Sequence, residues 1–304
     1  MAADAPMAAP RTTFAHAPAG YVGRFAPSPT GTLHMGSLVA AVGSHLDARH
    51  HGGRWLLRIE DIDPPRTVAG AADRIQQQLR AHGLHWDGDV LFQSSRSDAY
   101  LAALARLRDA GLTFHCICSR SQLGGGRYPG TCRARTLPIP DAAERLRCEP
   151  GIVHCTDLVH GEIGTDVSAQ VGDFVLRRRD GLFAYQLAVV VDDAAQGITH
   201  VVRGADLLDN TPRQVLLQRS LGMPTPAYLH LPLVLAPGGA KLSKQTGARE
   251  LEGRPQENLK VALRCLGQDV DALPPDGTCE EMLQRAARSW QRHRIPRMLG
   301  LGTN

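Results

Sequence analysis

Apolar and polar residues alternate over the first 115 positions in a way that predicts strands separated by helices. Residues 21–26 and 55–59 are short apolar runs typical of buried strands, and residues 113–118 form a third candidate. The segments between them carry apolar residues at helical spacing, and the predicted helices are residues 33–49, 67–84 and 97–110. Alternating strands and helices indicate an α/β chain built on a parallel sheet with right-handed crossovers.

The pattern changes in the middle of the chain. Between residues 116 and 180, short apolar runs are separated by turn-forming glycines and prolines, which predicts an inserted and largely antiparallel subdomain. Residues 184–191 form a run that is apolar except at Gln186, and we interpret them as a strand buried on both faces. A further strand is expected at residues 199–203, so the sheet would resume after the insertion.

Helix signals dominate the last third of the sequence. Residues 211–221 have Thr211 placed as an N-cap and Pro212 at the first helical position, and residues 255–266 and 280–294 are further candidates. We therefore expect five segments, which are a disordered tail at 1–20, a nucleotide-binding first half at 21–115, an insertion at 116–180, a second half at 181–250 and a helical segment at 251–304.

Composition narrows the class of protein. The formal charge of +4 permits a local basic face for nucleic acid but does not demand one. No apolar run approaches the ~18 residues that span a bilayer, so we expect no membrane partner. An odd number of cysteines, seven, and an N-terminus without the apolar core of an export signal indicate a reducing, cytoplasmic location.

The segment at residues 24–37, RFAPSPTGTLHMGS, has the pattern of a nucleotide-binding turn. A strand gives way to a Pro/Gly turn, and a helix begins near His34, where free amides and a partial positive charge suit a phosphate. Gly31 and Gly36 would let a nucleotide approach the backbone, and His34 could donate to a phosphate oxygen. Taken alone, the segment also fits a proline-rich turn before an ordinary helix, with His34 solvated.

A second segment, KLSKQ at residues 241–245, stands out because the chain has few lysines. Lysine supplies only three of the 34 basic residues, and two of the three, Lys241 and Lys244, lie in this one glycine-flanked loop. A compact ammonium on a flexible stem could close over a triphosphate and neutralise charge that develops on the α-phosphorus. Read alone, the segment is equally a solvated basic turn.

Together the two segments resemble the HIGH and KMSKS signatures of class I aminoacyl-tRNA synthetases. The segments at 24–31, 58–63, 185–193 and 202–207 are similar to those of the glutamyl- and glutaminyl-type enzymes. This resemblance implies a Rossmann-like parallel sheet with an inserted zinc-containing subdomain and a short C-terminal helical tail. It also implies glutamate and ATP with Mg²⁺ as substrates, used to form glutamyl-adenylate and pyrophosphate.

The resemblance further implies roles for individual residues. Arg24 and Arg203 would bind the glutamate carboxylates, Tyr185 would donate to the side-chain carboxylate, and Glu60 would receive the α-ammonium. The implied catalytic residues are His34, Lys241 and Lys244. The implied ATP contacts are Pro27, Thr30, Gly31, His34, Gly36, Ser37 and Lys244. The implied glutamate contacts are Arg24, Phe25, Ala26, Pro27, Ser28, Glu60, Tyr185 and Arg203.

Two departures from the glutamyl-tRNA synthetase pattern bear on the substrate. Val189 stands where those enzymes usually carry Asn, so the affinity for glutamate is expected to be weaker. Only 60 residues follow Lys244, too few for a long anticodon-binding region. In both length and motifs the chain is similar to the glutamyl-Q tRNA(Asp) synthetases, which implies transfer of glutamate to the queuosine base of tRNA(Asp). The alternatives are a compact enzyme that charges the tRNA 3′ end and a non-catalytic tRNA-binding paralogue; a monomer is expected.

The cysteines near the start of the insertion form a candidate metal site. Cys116, Cys118 and Cys132 could supply three thiolates to a tetrahedral zinc ion. The resemblance adds Tyr128 as the fourth ligand and implies one structural Zn²⁺ per chain, which would hold together an insertion with little core of its own. Reduced cysteines without metal are the alternative.

Overall fold

The structure, a computed structural model, describes residues 20–124, 126–135, 139–235, 251, 253–298 and 300–302. Most of the predicted tail at 1–20 and the loop that carries Lys241 and Lys244 lie outside the described residues. The other predicted helices and strands fall inside them, so their positions can be compared with the structure.

Strands and helices alternate along most of the described chain, as the apolar pattern predicts. The strands are β1 (Val22–Phe25), β2 (Arg54–Ile59), β3 (Leu91–Phe92), β4 (Thr113–Cys116), β5 (Ala143–Leu146), β6 (Ile152–Asp157), β7 (Gly161–Asp166), β8 (Val175–Arg177), β9 (His200–Gly204), β10 (Ala227–Leu231), β11 (Leu233–Leu235) and β12 (Gly300–Gly302). The helices are α1 (Met35–His50), α2 (Ala71–Ala81), α3 (Ser97–Asp109), α4 (Arg120–Leu123), α5 (Val167–Gln170), α6 (Tyr185–Ala195), α7 (Thr211–Leu221), α8 (Pro255–Cys265) and α9 (Cys279–Arg288).

Parallel strands form the centre of the fold. β1, β2 and β3 are hydrogen-bonded in that order, and β9, β10 and β6 form a second parallel set. The two sets meet where the Thr199 amide donates to the Val22 carbonyl at 2.9 Å. β7 extends the second set as an antiparallel partner of β6. The prediction of an α/β chain with a parallel sheet is confirmed.

Helices cover both faces of this sheet. Side chains alternate along β2, so that Trp55 and Leu57 join a core with residues of α1, α2, α8 and α9, while Leu56 joins a second core with residues of α3, α6 and α7. α1 crosses β10 closely at Gly43, where a Cβ would stand 2.6 Å from the Leu231 side chain. The glycine therefore allows the helix that follows the signature segment to pack directly on the sheet.

The predicted insertion at 116–180 is divided between two sheets. β4, β5 and β8 form an antiparallel sheet of their own. The hairpin of β6 and β7 belongs instead to the central sheet, because Asp157 at the end of β6 is paired in parallel with Tyr228 of β10. This pairing carries Asp157 into the interior beside the second half of the sheet.

The prediction of a buried strand at residues 184–191 is wrong, because this run lies in α6. All residues from Gln186 to Asp193 are buried, since α6 is packed against α3, α7 and β8. A short run that is apolar on every side has no periodicity to separate a fully buried helix from a buried strand. The helix places Asp193 beside the ends of β1 and β2.

Several helix boundaries also differ from the prediction. α7 has Asn210 as its N-cap and not Thr211, which lies in the helix and uses its hydroxyl elsewhere. α2 begins only after the 3-10 turn of Pro64–Arg66 and the left-handed Gly70. α9 ends at Arg288, before a separate 3-10 turn.

The C-terminal helices are tied to the sheet by one buried carboxylate. Asp47 of α1 accepts hydrogen bonds from the Tyr21 hydroxyl at 2.5 Å, the Trp290 indole at 2.9 Å and Arg292 Nε at 2.6 Å. Burial by itself would raise the pKa of Asp47, but the hydrogen bonds from Arg292 and Tyr21 outweigh it, and the pKa is lowered. No helix within the described ranges is long and apolar enough to cross a bilayer.

Candidate active site

A cluster of buried charges lies at the carboxyl ends of β1 and β2. Asp193 Oδ1 accepts from Arg24 Nε at 3.1 Å and from an Arg58 terminal nitrogen at 2.7 Å. A second Arg58 nitrogen donates to Glu60 at 3.1 Å. Two guanidinium groups and two carboxylates are therefore balanced in a place with little water, where an unpaired charge would be strongly destabilising.

The two carboxylates of this cluster respond differently to burial. Burial by itself would raise the pKa of Asp193, but Arg24 and Arg58 outweigh it and hold the pKa below its ordinary value. Burial raises the pKa of Glu60 above its ordinary value in spite of Arg58. Asp193 therefore stays ionised within the cluster. The charged form of Glu60, which burial disfavours, would be stabilised by a further positive group.

Arg203 of β9 lies behind this cluster and is 5% exposed. A guanidinium has five N–H groups, and the structure shows five donated contacts. The acceptors are His230 Nε2 at 3.0 Å, Gln214 Oε1 at 2.8 Å, Thr211 Oγ1 at 2.9 Å, the Leu207 carbonyl at 3.3 Å and the Tyr185 hydroxyl at 3.5 Å. The two longest contacts, to Leu207 and Tyr185, are the weakest and would be the first to exchange for a ligand.

A cleft of about 640 Å³ opens in front of the charge cluster. Four of the predicted substrate contacts line it, namely Ser28, Thr30, Glu60 and Tyr185. Arg24 and Phe25 lie in the buried end of β1, and Arg203 lies behind Tyr185, so these residues are not on the cleft surface. The cleft has the size of an ordinary small-molecule site, and its lining combines apolar residues with many polar and charged ones.

The signature segment at residues 24–37 is fastened beside the cleft. The Glu60 amide donates to the Pro27 carbonyl at 3.0 Å, which holds the turn after Ala26 against the end of β2. Gly31 has a φ of +141°, a conformation that favours glycine. This backbone path leads directly into the first turn of α1.

His34 is the N-cap of α1, and its ring is held by Ser37. The Ser37 amide donates to His34 Nδ1 at 3.3 Å, and Ser37 Oγ lies 3.1 Å from Nε2. Because Nδ1 accepts, a neutral ring carries its proton on Nε2, which makes that nitrogen a donor. Gly36 lies with Ser37 in the first turn of α1, so the helix N-terminus and a histidine donor occur together. The partners proposed for them from sequence, Lys241 and Lys244, lie outside the described residues.

The three cysteines expected to bind metal are brought together at the end of β4. The sulfur atoms of Cys116, Cys118 and Cys132 all lie within 4.8 Å of one another, and those of Cys118 and Cys132 are 3.7 Å apart. Tetrahedral zinc with Zn–S bonds of about 2.3 Å requires sulfur atoms roughly 3.8 Å apart, so the thiols fit a metal ion. Tyr128 is buried beside them, and its oxygen accepts from the Cys132 amide at 2.8 Å.

The cysteine cluster and the cleft share a wall. Cys118, Ser119 and Leu123 line the same cleft as Glu60 and Tyr185. A metal ion that holds the cysteines would therefore also fix the shape of this side of the cleft.

Two functional candidates were not predicted from the sequence. His230 of β10 and Asp157 of β6 stand directly behind Arg203, joined by a 2.7 Å hydrogen bond. They are 73 residues apart in the chain, so no local spacing connects them. Both lie in strands that the sequence analysis does not assign, so no signal in the sequence points to the pair.

Sequence comparison places the chain among synthetase catalytic domains. The family described as "tRNA synthetases class I (E and Q), catalytic domain" matches residues 21–138 and 141–261. The glutamyl-Q tRNA(Asp) synthetase of Shigella flexneri is 52% identical over 279 residues, which cover 91% of each protein. The enzyme of the same name from Ectopseudomonas mendocina is 52% identical, over 91% of this chain and 95% of its own. The one from Pseudomonas putida GB-1 is 54% identical, over 89% of this chain and 93% of its own.

Comparison with solved structures gives the same fold. The glutamate tRNA ligase of Elizabethkingia meningosepticum superposes with a TM-score of 0.77 over 93% of this chain and 67% of its own. The glutamate-tRNA synthetase of Elizabethkingia anophelis gives 0.78 over 94% and 68%. Each is 24% identical to this chain, so these likenesses establish the architecture alone.

Proposed function

We propose that this chain, which belongs to the family of class I tRNA synthetase catalytic domains for Glu and Gln, is an ATP-dependent ligase that activates glutamate and transfers it to the queuosine base in the anticodon of tRNA(Asp). The observation that carries the proposal is identity of about 52% to glutamyl-Q tRNA(Asp) synthetases over nine-tenths of both chains. The cleft supports it, because it places a carboxylate and a phenol in front of buried arginines.

In the first step, the α-carboxylate oxygen of glutamate attacks the α-phosphorus of ATP and pyrophosphate leaves. Glu60 receives the α-ammonium, a second positive partner beside Arg58 that offsets the burial of its carboxylate. The helix N-terminus at Ser37 and His34 Nε2 bind phosphate oxygens. Lys241 and Lys244 would neutralise the triphosphate charge together with the Mg²⁺ that would accompany ATP. Positioning and fixed dipoles, without a covalent enzyme intermediate, supply the rate enhancement.

The arginines select an amino acid with two carboxylates. Asp193 fixes Arg24 Nε, so the guanidinium keeps one orientation towards the α-carboxylate. The side-chain carboxylate of glutamate replaces the long contacts of Arg203 to Tyr185 and Leu207 with shorter, charge-assisted bonds. Tyr185 then donates its hydroxyl to the same carboxylate.

In the second step, a hydroxyl of the modified base attacks the adenylate carbonyl, an ester bond forms and AMP leaves. The RNA strand would approach along the cleft rim, where a second cavity of about 310 Å³ shares Arg178 and Arg179 with the cleft. Arg178 is paired with Asp63 and Asp180, whereas Arg179 is exposed and donates to the Asp141 carbonyl at 2.9 Å. Of the two arginines that the cavities share, Arg179 is therefore the better placed for a phosphate.

The transfer reaction is tested with labelled glutamate, ATP and Mg²⁺ on tRNA(Glu) and on two preparations of tRNA(Asp), with and without queuosine. Each is used intact and without its 3′-terminal adenosine. We expect label that requires queuosine but does not require the terminal adenosine. Labelling of tRNA(Glu) that is lost without the terminal adenosine would instead show a compact glutamyl-tRNA synthetase, and absence of glutamate-dependent pyrophosphate exchange would show a non-catalytic paralogue.

The proposed RNA contact is tested with Arg179→Gln. Loss of one phosphate contact should weaken tRNA(Asp) binding several-fold and reduce the slope of log K against log salt by about 1. Glutamate-dependent pyrophosphate exchange without tRNA should be unchanged. Arg264→Gln, an exposed arginine on α8, is the matched control. Equal tRNA affinity and equal salt slopes for the two variants would contradict the contact.

We further propose that Cys116, Cys118 and Cys132 hold one structural Zn²⁺ with Tyr128 as the fourth ligand. Three thiols within 4.8 Å of one another and a phenol beside them support this donor set. A closed site of four protein ligands leaves no position for substrate, so the ion acts by shaping the cleft wall.

The zinc site is tested by metal analysis of the purified protein. We expect about one zinc per chain in the wild type and in Cys155→Ser, and a loss of most of it in Cys132→Ser, because three ligands remain. Tyr128→Phe should bind zinc more weakly in competition with a chelator. Full zinc content in Cys132→Ser would refute the site, and unchanged affinity in Tyr128→Phe would remove Tyr128 from the ligand set.

A further inference from the structure

Arg203 is held from behind by a chain of two buried residues. Its Nε donates to His230 Nε2 at 3.0 Å, and His230 Nδ1 lies 2.7 Å from Asp157 Oδ2. The His230 side chain is fully buried and that of Asp157 is 1% exposed. Neither residue lines the cleft, and both lie on the side of Arg203 away from Tyr185, so they act on the proposed substrate site only through Arg203.

The hydrogen-bond partners of His230 allow only one protonation state of its ring. Arginine Nε carries a hydrogen at any ordinary pH, so His230 Nε2 must accept. The hydroxyl of Thr211, 3.3 Å from the same nitrogen, is a second group able to donate to it. A neutral ring that accepts at Nε2 carries its proton on Nδ1, which then donates to Asp157.

Asp157 is itself oriented by the backbone. Its Oδ1 accepts from the amides of Val159 and His160, each at 2.9 Å, which leaves Oδ2 to face His230. The charged groups that face His230 are Asp157 and Arg203, and His160 lies near them. Burial lowers the pKa of His230, and although Asp157 opposes this shift, the ring remains neutral beside Arg203.

We propose that Asp157 and His230 are positioning residues for glutamate recognition, because Asp157 fixes the tautomer of His230 and the lone pair on Nε2 then holds Arg203 Nε. The inference rests on the proposed function, in which Arg203 binds the side-chain carboxylate. Nε is anchored on the buried side, so the terminal nitrogens keep one orientation when Tyr185 and Leu207 give way to the ligand. A buried carboxylate that fixes a histidine tautomer is an established way to orient a site.

Asp157→Asn is the sharpest test, because it changes one atom. The two backbone amides require an acceptor, so the side-chain oxygen of Asn takes the Oδ1 place and its NH₂ faces His230. Nδ1 must then accept, which moves the ring proton to Nε2. That hydrogen would point at the hydrogen on Arg203 Nε, and the guanidinium would be displaced from its position.

We expect this displacement to appear in glutamate-dependent pyrophosphate exchange. The KM for glutamate of Asp157→Asn should rise at least tenfold, while the KM for ATP changes less than twofold. Asp47→Asn is the matched control: Asp47 is also a buried carboxylate with three donors, but it lies in the network that ties down the C-terminal helices. The control should lower the free energy of unfolding and leave the KM for glutamate within twofold of the wild type.

A second measurement separates the tautomer from general damage. In ¹⁵N-histidine spectra, His230 should show a protonated Nδ1 and an unprotonated Nε2 in the wild type between pH 6 and 8, and the reverse in Asp157→Asn. The wild-type spectrum tests the proposal even if the variant does not fold, because a protonated Nε2 would overturn it.

The outcomes also separate this inference from the proposed function. If the wild type does not activate glutamate, the proposed function fails. If the wild type activates glutamate and Asp157→Asn has an unchanged KM for glutamate, or raises both KM values equally, the positioning role is refuted while the function stands.

Discussion

The rest of this site depends on the ion pairs that the Asp193 carboxylate makes with Arg24 and Arg58. Asp193 lies on α6, yet it accepts from one arginine on β1 and another on β2, so three elements that are distant in sequence converge on one atom. Without it, Glu60 would be the one carboxylate left in direct contact with Arg58 among the described ion pairs, Asp192 would act on Arg58 from a greater distance, and Arg24 would lose its ion-pair partner. Two buried cations with one partner are more costly than a balanced cluster, because desolvation is no longer offset by opposite charge.

Other groups of the proposed substrate site are likewise held in one orientation by hydrogen bonds to neighbouring protein groups. Arg24 is held by Asp193, Arg203 by His230, and the His34 ring by the amide of Ser37. In each case a buried or partly buried partner fixes the orientation of a group before any ligand arrives. Dipoles and charges that are already oriented need no reorganisation during the reaction, which is how such a site would accelerate adenylate formation.

How far the sequence predicts this structure depends on whether the relevant signal is local. The alternation of strands and helices and the turn before α1 were predictable, because periodicity and turn chemistry act over a few residues. The run at 184–191 was misassigned, since burial on every side erases the period that distinguishes a helix from a strand. The pair of Asp157 and His230 was not predictable, because it forms only when β6 and β10 become neighbours in the folded sheet.

The most direct test of this account is the free energy of unfolding of Asp193→Leu, measured by urea denaturation beside Asp276→Leu at an exposed position. Leucine has a similar volume but cannot balance Arg24 and Arg58. We predict that the Asp193 variant loses about 3–5 kcal/mol while the control changes by less than about 0.5 kcal/mol. A loss for Asp193→Leu no larger than that of the control would contradict the claim that this carboxylate holds the arginines of the site in place.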